Sequence, residues 1–215
     1  GEMYMKLQIA VDVADTQRCV ELGELLHDVV DIYEVGTPVI VKEGLAPVRE
    51  LKRRYPHMTI LADAKIMDGG ALECGDMCDA GADVVTVLAL ADDATIQEVV
   101  TVAHKYQRKV MADLICVKNI TQRSRELVAM GVDYVCVHTG VDMQKQGRTP
   151  LLDLKELVNA IDPSRTAVAG GVSLATIASY KALNPGIIIS GSAIYGAPNI
   201  RATAIDMKEV LANGC

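Results

Sequence analysis

Short apolar runs alternate with amphipathic stretches eight times along this 215-residue chain. That alternation predicts a single-domain α/β protein, a (β/α)8 TIM barrel. Two further observations support the prediction. The apolar runs are rich in Val, Ile and Leu without interruption, as strands buried on both faces of a parallel sheet require. Polar residues inside those runs gather near their carboxyl ends, the face on which barrels build their sites. A doubly wound sheet is the alternative architecture for the same alternation.

The predicted strands are Lys6–Val13, Val30–Val35, Thr59–Ala64, Val84–Leu88, Val110–Ile115, Tyr134–His138, Thr166–Ala169 and Ile187–Ser190. Helix-like segments between them include Thr16–Leu26, Leu45–Tyr55, Ala71–Ala80, Ala94–Tyr106 and Leu151–Ile161. Connections are short and none has a linker's composition, so residues 1–215 read as one barrel domain. Residues 1–4 form an N-terminal extension, in which Gly1-Glu2 ahead of Met3 read as a foreign remnant. Two junctions share a phrase, Asp79-Ala80-Gly81-Ala82-Asp83 and Met130-Gly131-Val132-Asp133, in which Gly stops a helix before the next strand. The longest connection, Thr139–Pro150, holds Gly140, Gly147 and Pro150. It reads as a loop of the length that often forms a lid.

Half of the residues are hydrophobic, yet Phe and Trp are absent, so Val, Ile, Leu, Ala and Met must build the core. A net charge of -7 with no Lys/Arg-rich run argues against a nucleic-acid-binding face. No apolar stretch reaches the ~18–20 residues of a membrane span. Met5-Lys6-Leu7 leads straight into a strand pattern, without a signal peptide. Cysteines stand at 19, 74, 78, 116, 136 and 215, and Cys116 and Cys136 lie in apolar runs. They read as reduced core residues of a cytoplasmic protein. Cys74 and Cys78, four apart on a helix, could share a metal, but no second Cys/His pair completes a zinc set.

The strongest functional signal is Leu61-Ala62-Asp63-Ala64-Lys65-Ile66-Met67-Asp68-Gly69-Gly70, which sets three charges directly after a buried strand. Burying charge is costly unless it is paired or binds a metal. Asp63 and Lys65 share one face of an extended segment by the period of two. Asp12, Glu34, Asp113 and His138 bring further polar groups to the carboxyl ends of strands one, two, five and six. Glu34 and Asp63 are hard oxygen ligands suited to Mg2+, a Lewis acid for a carbonyl or enediolate oxygen. Lys65 could serve as a fixed cation or as a Schiff-base amine. Neighbouring carboxylates favour the cation. His138 is the natural proton carrier. Strands seven and eight end in Ala169-Gly170-Gly171-Val172-Ser173 and Ser190-Gly191-Ser192-Ala193, whose exposed backbone N–H groups suit a phosphorylated substrate.

Asp63-x-Lys65-x-x-Asp68 after the third strand resembles the signature of the orotidine 5'-monophosphate decarboxylase suprafamily. The fuller Asp63-Ala-Lys65-Ile-Met-Asp68-Gly-Gly is similar to that of its 3-hexulose-6-phosphate synthases. So are Ile32-Tyr33-Glu34-Val35-Gly36-Thr37-Pro38, Val137-His138-Thr139-Gly140 ahead of Gly147-Arg148, and Ala167-Val168-Ala169-Gly170-Gly171. The resemblance runs from about Lys6 through the eighth unit. It implies a homodimeric, Mg2+-dependent aldehyde-lyase that joins formaldehyde to D-ribulose 5-phosphate, giving D-arabino-hex-3-ulose 6-phosphate. In that scheme Glu34 and Asp63 hold the metal, Lys65 faces the enediolate, and Asp68 reaches into the neighbouring subunit's site. Asp12 and Asp113 contact substrate hydroxyls, His138 moves the proton, and Gly170, Gly171, Gly191 and Ser192 hold the phosphate. The related 3-keto-L-gulonate-6-phosphate decarboxylases are the alternative. They carry Arg where this chain has Val141 and Glu where it has Asp113, and both differences favour the synthase. A non-catalytic sugar-phosphate sensor is a third reading, set against by the intact acid–base set.

Overall fold

The computed structural model of the chain describes residues 4–13 and 15–213. Gly1-Glu2, Met3 and Cys215 fall outside the described residues. The elements run β1 (Lys6–Val11), α1 (Thr16–Leu26), β2 (Ile32–Val35), α2 (Thr37–Glu43), α3 (Ala46–Arg54), β3 (Thr59–Ile66), α4 (Gly70–Ala80), β4 (Val84–Leu88), α5 (Asp93–Lys105) and β5 (Lys109–Asp113). They continue α6 (Ile120–Ala129), β6 (Tyr134–His138), α7 (Val141–Gln144), α8 (Leu151–Ala160), β7 (Thr166–Ala169), α9 (Ile177–Lys181), β8 (Ile187–Ser190), α10 (Ser192–Tyr195) and α11 (Ile200–Ala212). All eight strands pair in parallel and in chain order, and β8 closes on β1 through Lys6↔Ile187 to Ile9↔Ser190. The predicted barrel is therefore the observed fold, and the doubly wound alternative is excluded.

The period of two divides each strand between two cores. Outward residues such as Leu7, Ile9, Tyr33, Val35, Ile60, Val85, Val110, Val135, Val168 and Ile188 join the apolar faces of the helices in one large cluster. Inward residues form a second, smaller cluster: Ala10, Ile32, Leu61, Val84, Met111, Cys136, Ala167, Ile187 and Ile189. Two residues further along each strand stand Asp12, Glu34, Asp63, Thr86, Asp113, His138, Ala169 and Gly191. The inner cluster is thus an apolar floor one pleat below the polar rim.

Local chemistry sets the helix starts. The Asp15 side chain accepts the Arg18 N–H at the head of α1, while Cys19, Leu22 and Leu26 bury the opposite stripe. Asn119 and Asn199 cap α6 and α11 in the same way. The aspartate that ends both junction phrases has a third counterpart before β2, where no glycine stands. Asp31, Asp83 and Asp133 each stand just before an even-numbered strand. Their carboxylates accept the N–H of Leu7, Ile60 and Val110 at 2.8, 2.9 and 2.8 Å. Their own N–H groups donate back to the same residues' carbonyls. Each carboxylate also meets a basic partner: Lys208 for Asp31, Lys52 and Arg108 for Asp83, and His104 for Asp133.

Four expectations are corrected. The strand β5 ends at Asp113, so Cys116 lies beyond it, exposed and at φ 64°, rather than in the core. The other described cysteines, Cys19, Cys74, Cys78 and Cys136, are buried. The Thr139–Pro150 connection is not all loop, because α7 forms within it. Between β2 and α3 stands an unpredicted helix, α2, because Pro38 in its first turn starts a helix that the β-branched Val39-Ile40-Val41 disguises. Finally, β3 extends to Ile66 through an irregularity. Leu61 and Ala62 face Val84 and Val85, but the next pair is Ile66 with Val87. Lys65, inside that irregularity, has φ 46°, so regular alternation is not what brings its side chain beside Asp63. Among the described residues, no helix is long and apolar enough to cross a membrane.

Candidate active site

Lys65 lies at the centre of the polar rim. Its Nζ stands 2.7 Å from Asp63 Oδ2 on its own strand and 3.3 Å from Asp113 Oδ2 on β5. Burial opposes the ammonium charge, yet the Asp63 and Asp113 carboxylates outweigh it and hold the Lys65 pKa above its ordinary value. An amine kept so firmly protonated is a poor Schiff-base nucleophile, so the fixed-cation reading is the one the geometry supports.

Asp113 also receives His138, whose Nδ1 lies 3.0 Å from Oδ2, while the Ile115 N–H donates to Oδ1 at 2.9 Å. Burial works against the Asp113 carboxylate. The hydrogen bond and charge of His138, with the charge of Lys65, overcome it and hold the pKa below the usual range. An ionised carboxylate can only accept, so the Nδ1 that faces Asp113 is a donor, and Nε2 is the ring nitrogen turned away from it.

On the other side three acids crowd together. Burial, then the Asp63 charge, then the Asp12 charge push the Glu34 carboxyl well up, and Lys65 and a hydrogen bond from Gln8 only partly offset them. Burial followed by Asp63 raises Asp12 in the same way. Among the described residues no three His, Cys, Asp or Glu side chains are gathered into a ready coordination sphere. The donor set nevertheless suits Mg2+. It offers buried hard oxygens whose mutual repulsion a cation would relieve, and Mg2+ usually completes its octahedron with water and substrate oxygens.

Several residues without a role in the sequence motifs support the rim. Gln8 is fully buried inside the barrel and donates its amide to Glu34 Oε1 at 2.7 Å. Thr37 donates its hydroxyl to the Asp63 carbonyl at 2.7 Å. Thr86 Oγ1 donates to Asp63 Oδ1 at 2.8 Å. At Gly36 a Cβ would lie 2.0 Å from Asp12 Oδ1, so the missing side chain is what admits the carboxylate. Gln8 was detectable as a polar residue two and four positions before Ala10 and Asp12 on one strand face. The other three look like ordinary strand and turn residues.

The glycine loops follow β7 and β8 as expected. Gly170 and Gly171 have φ 119° and 77°, and a Cβ on Gly170 would lie 2.8 Å from the Thr139 carbonyl oxygen, beside His138. Gly191 stands against the Ala10 carbonyl, and Ser192 opens α10. Among the described residues, nothing accepts a hydrogen bond from the N–H of Gly170, Gly171 or Gly191. Asp68 is not brought into the cluster of its own chain. It is exposed ahead of α4, and among the described residues its Oδ1 accepts only the Gly69 N–H.

Comparison with known proteins agrees with this geometry. Residues 5–207 match the orotidine 5'-phosphate decarboxylase / HUMPS family. The chain belongs to that family. It is 40% identical over 210 residues to 3-hexulose-6-phosphate synthase of Bacillus subtilis (strain 168), covering 98% of this chain and all of that one. The crystal structure of 3-hexulose-6-phosphate synthase from Salmonella typhimurium superposes with a TM-score of 0.93 at 42% identity, over 96% of this chain and 98% of that one. The 3-keto-L-gulonate-6-phosphate decarboxylase of Vibrio cholerae is more distant, with 27% identity and a TM-score of 0.83 over 97% of each chain. The chain is accordingly an enzyme of the lyase type, as the sequence motifs imply.

Proposed function

We propose that the enzyme condenses formaldehyde with D-ribulose 5-phosphate to give D-arabino-hex-3-ulose 6-phosphate. The observation that carries this reading is the Lys65–Asp113–His138 arrangement, a fixed cation and a free imidazole nitrogen held on one carboxylate. Such a pair suits the making of a carbanion beside a carbonyl, because one group takes the proton while the other faces the charge that develops. Full-length relatives named for this synthase support the same assignment.

In this mechanism Gly170, Gly171, Gly191 and Ser192 bind the phosphate through backbone N–H groups, and Asp12 and Asp113 orient the sugar hydroxyls. His138 Nε2 takes a proton from C1 of the sugar. The electron pair left behind forms the enediolate, which the Lys65 ammonium faces. C1 then attacks the formaldehyde carbon, a C–C bond forms, and the former aldehyde oxygen takes up the proton that His138 holds. Glu34 and Asp63 would hold Mg2+, which when bound supplies Lewis-acid polarisation of the sugar's carbonyl oxygen. We further propose a homodimer in which Asp68 serves the neighbouring subunit's site. Its exposure and its lack of a role in its own cluster support this. The free thiols of Cys19, Cys74, Cys78, Cys116 and Cys136 support a reducing, cytoplasmic setting.

Two assays run side by side test the proposal: formaldehyde consumption with ribulose 5-phosphate and Mg2+, and CO2 release from 3-keto-L-gulonate 6-phosphate. The expected result is rapid formaldehyde loss that EDTA abolishes, that Mg2+ restores, and that Lys65→Ala lacks. Dominant CO2 release would instead assign the decarboxylase reaction to the same scaffold.

A further inference from the structure

The irregularity in β3 sets three residues, Asp63, Ala64 and Lys65, against the single Thr86 of β4. A bulge of this kind interrupts the ladder and leaves main-chain groups in need of partners. Here a side chain takes the place of the ladder. The Lys65 N–H donates to Thr86 Oγ1 at 3.0 Å. That bond holds the backbone at a residue whose φ of 46° a side-chain-bearing residue rarely adopts. The amide can only donate, so the hydroxyl's own proton is free for another acceptor. It goes to Asp63 Oδ1 at 2.8 Å, which leaves Oδ2 for the Lys65 ammonium at 2.7 Å. Thr86 is 4% exposed, the one polar residue in Val-Val-Thr-Val-Leu, and points inward from the layer directly above Val84.

We infer that Thr86 is a positioning residue for the reaction. Its single hydroxyl fixes the plane of the Asp63 carboxylate and the left-handed backbone of Lys65 together, and so sets where the ammonium stands between Asp63 and Asp113. The inference rests on the proposed condensation for its kinetic consequence and on the bulge alone for its structural one. Thr86 itself touches neither reacting carbon; it acts through the two residues it bridges. If the position served packing alone, Val would replace Thr without loss, because it is close in shape and favoured in strands.

The test compares Thr86→Val, Thr86→Ala and Thr86→Ser with the unaltered enzyme. Measured quantities are kcat, KM for ribulose 5-phosphate, and the hydrogen-exchange rate of the Lys65 amide. Val and Ala should lower kcat about 10–100-fold, the usual cost of removing a group that orients another ligand or base. KM should stay within about twofold, because the phosphate is held by other strands. The Lys65 amide should exchange faster in both variants. Ser, which keeps the hydroxyl, should restore slow exchange and most of kcat. Wild-type kcat in Val and Ala, or a Lys65 amide as protected in them as in the unaltered enzyme, would overturn the inference. An unaltered enzyme inactive on formaldehyde and ribulose 5-phosphate would instead refute the proposed reaction, and the exchange comparison would still decide the role of Thr86.

Discussion

At Gly36 one hydrogen decides whether the rim can form. A methyl group there would meet Asp12 Oδ1 at 2.0 Å and the Val11 carbonyl at 2.5 Å. Gly36→Ala is therefore expected to cost about 1–3 kcal/mol of stability and to displace Asp12. Denaturation and steady-state kinetics on one preparation should show lower stability and a lower kcat/KM together. Glu34 should behave in the opposite way. It is a buried acid pressed by Asp63 and Asp12, so Glu34→Gln removes a group whose ionised form the site disfavours while keeping the acceptor that Gln8 needs. In metal-free buffer the variant should be more stable than the parent by about 1–3 kcal/mol. Mg2+ should raise the melting temperature of the parent but not of the variant. Equal Mg2+ shifts in both proteins would remove Glu34 from the metal site. The charged residues were legible in the sequence because buried charge is expensive and demands a reason. Gly36, Thr37 and Thr86 were not, since nothing in a turn glycine or a strand threonine announces which side chain across the barrel it serves.

Among the elements, the recurring aspartates at the N-terminal side of the barrel carry structure rather than chemistry. Asp83 satisfies the Ile60 N–H and pairs with both Lys52 and Arg108. Asp83→Asn should cost about 1–3 kcal/mol in urea unfolding and leave kcat unchanged, because the site lies at the opposite ends of the strands. The last helix is tied to the first by Arg201, which donates to both carboxylate oxygens of Asp28 at 2.6 and 2.9 Å and to the Leu25 carbonyl. The Arg201 hydrogen bond holds the Asp28 carboxyl at about 2, below its ordinary 3.8. A depressed carboxyl pKa stabilises the fold fully above the unfolded value and loses that contribution as pH falls through the folded one. The stability difference between the parent and Arg201→Met should thus be constant from neutral pH to about 5 and shrink between about 4 and 2. A difference independent of pH would mean that Arg201 acts through packing or Leu25 alone. Strand positions were legible because continuous apolar runs have few other uses. Helix α2 was hidden by β-branched residues, and the bulge in β3 by a period-two pattern that the backbone does not keep. Helix α7 was hidden by its length of four residues.

For the molecule as a whole, barrel closure turns separate strand ends into one site. Residues as far apart in the chain as Asp12 and Gly191 become neighbours only because β8 returns to β1. That convergence was predictable once the fold was recognised, whereas the role proposed for Asp68 belongs to an assembly. If Asp68 completes the partner's site, mixing Asp68→Ala with Lys65→Ala chains should restore activity. Random exchange gives heterodimers with one intact site, so recovery should reach about a quarter of the parent activity. No recovery after verified exchange would place every essential group in one chain. The central claim, C–C bond formation at C1 of the sugar, is tested most directly with 13C-labelled formaldehyde, ribulose 5-phosphate and Mg2+, followed by 13C NMR. The predicted spectrum shows the label as a new hydroxymethyl carbon bonded to the adjacent carbinol carbon of a six-carbon ketose phosphate, absent with Lys65→Ala. Label that remains in formaldehyde hydrate while the unaltered protein is folded and Mg2+ is present would contradict the proposed reaction.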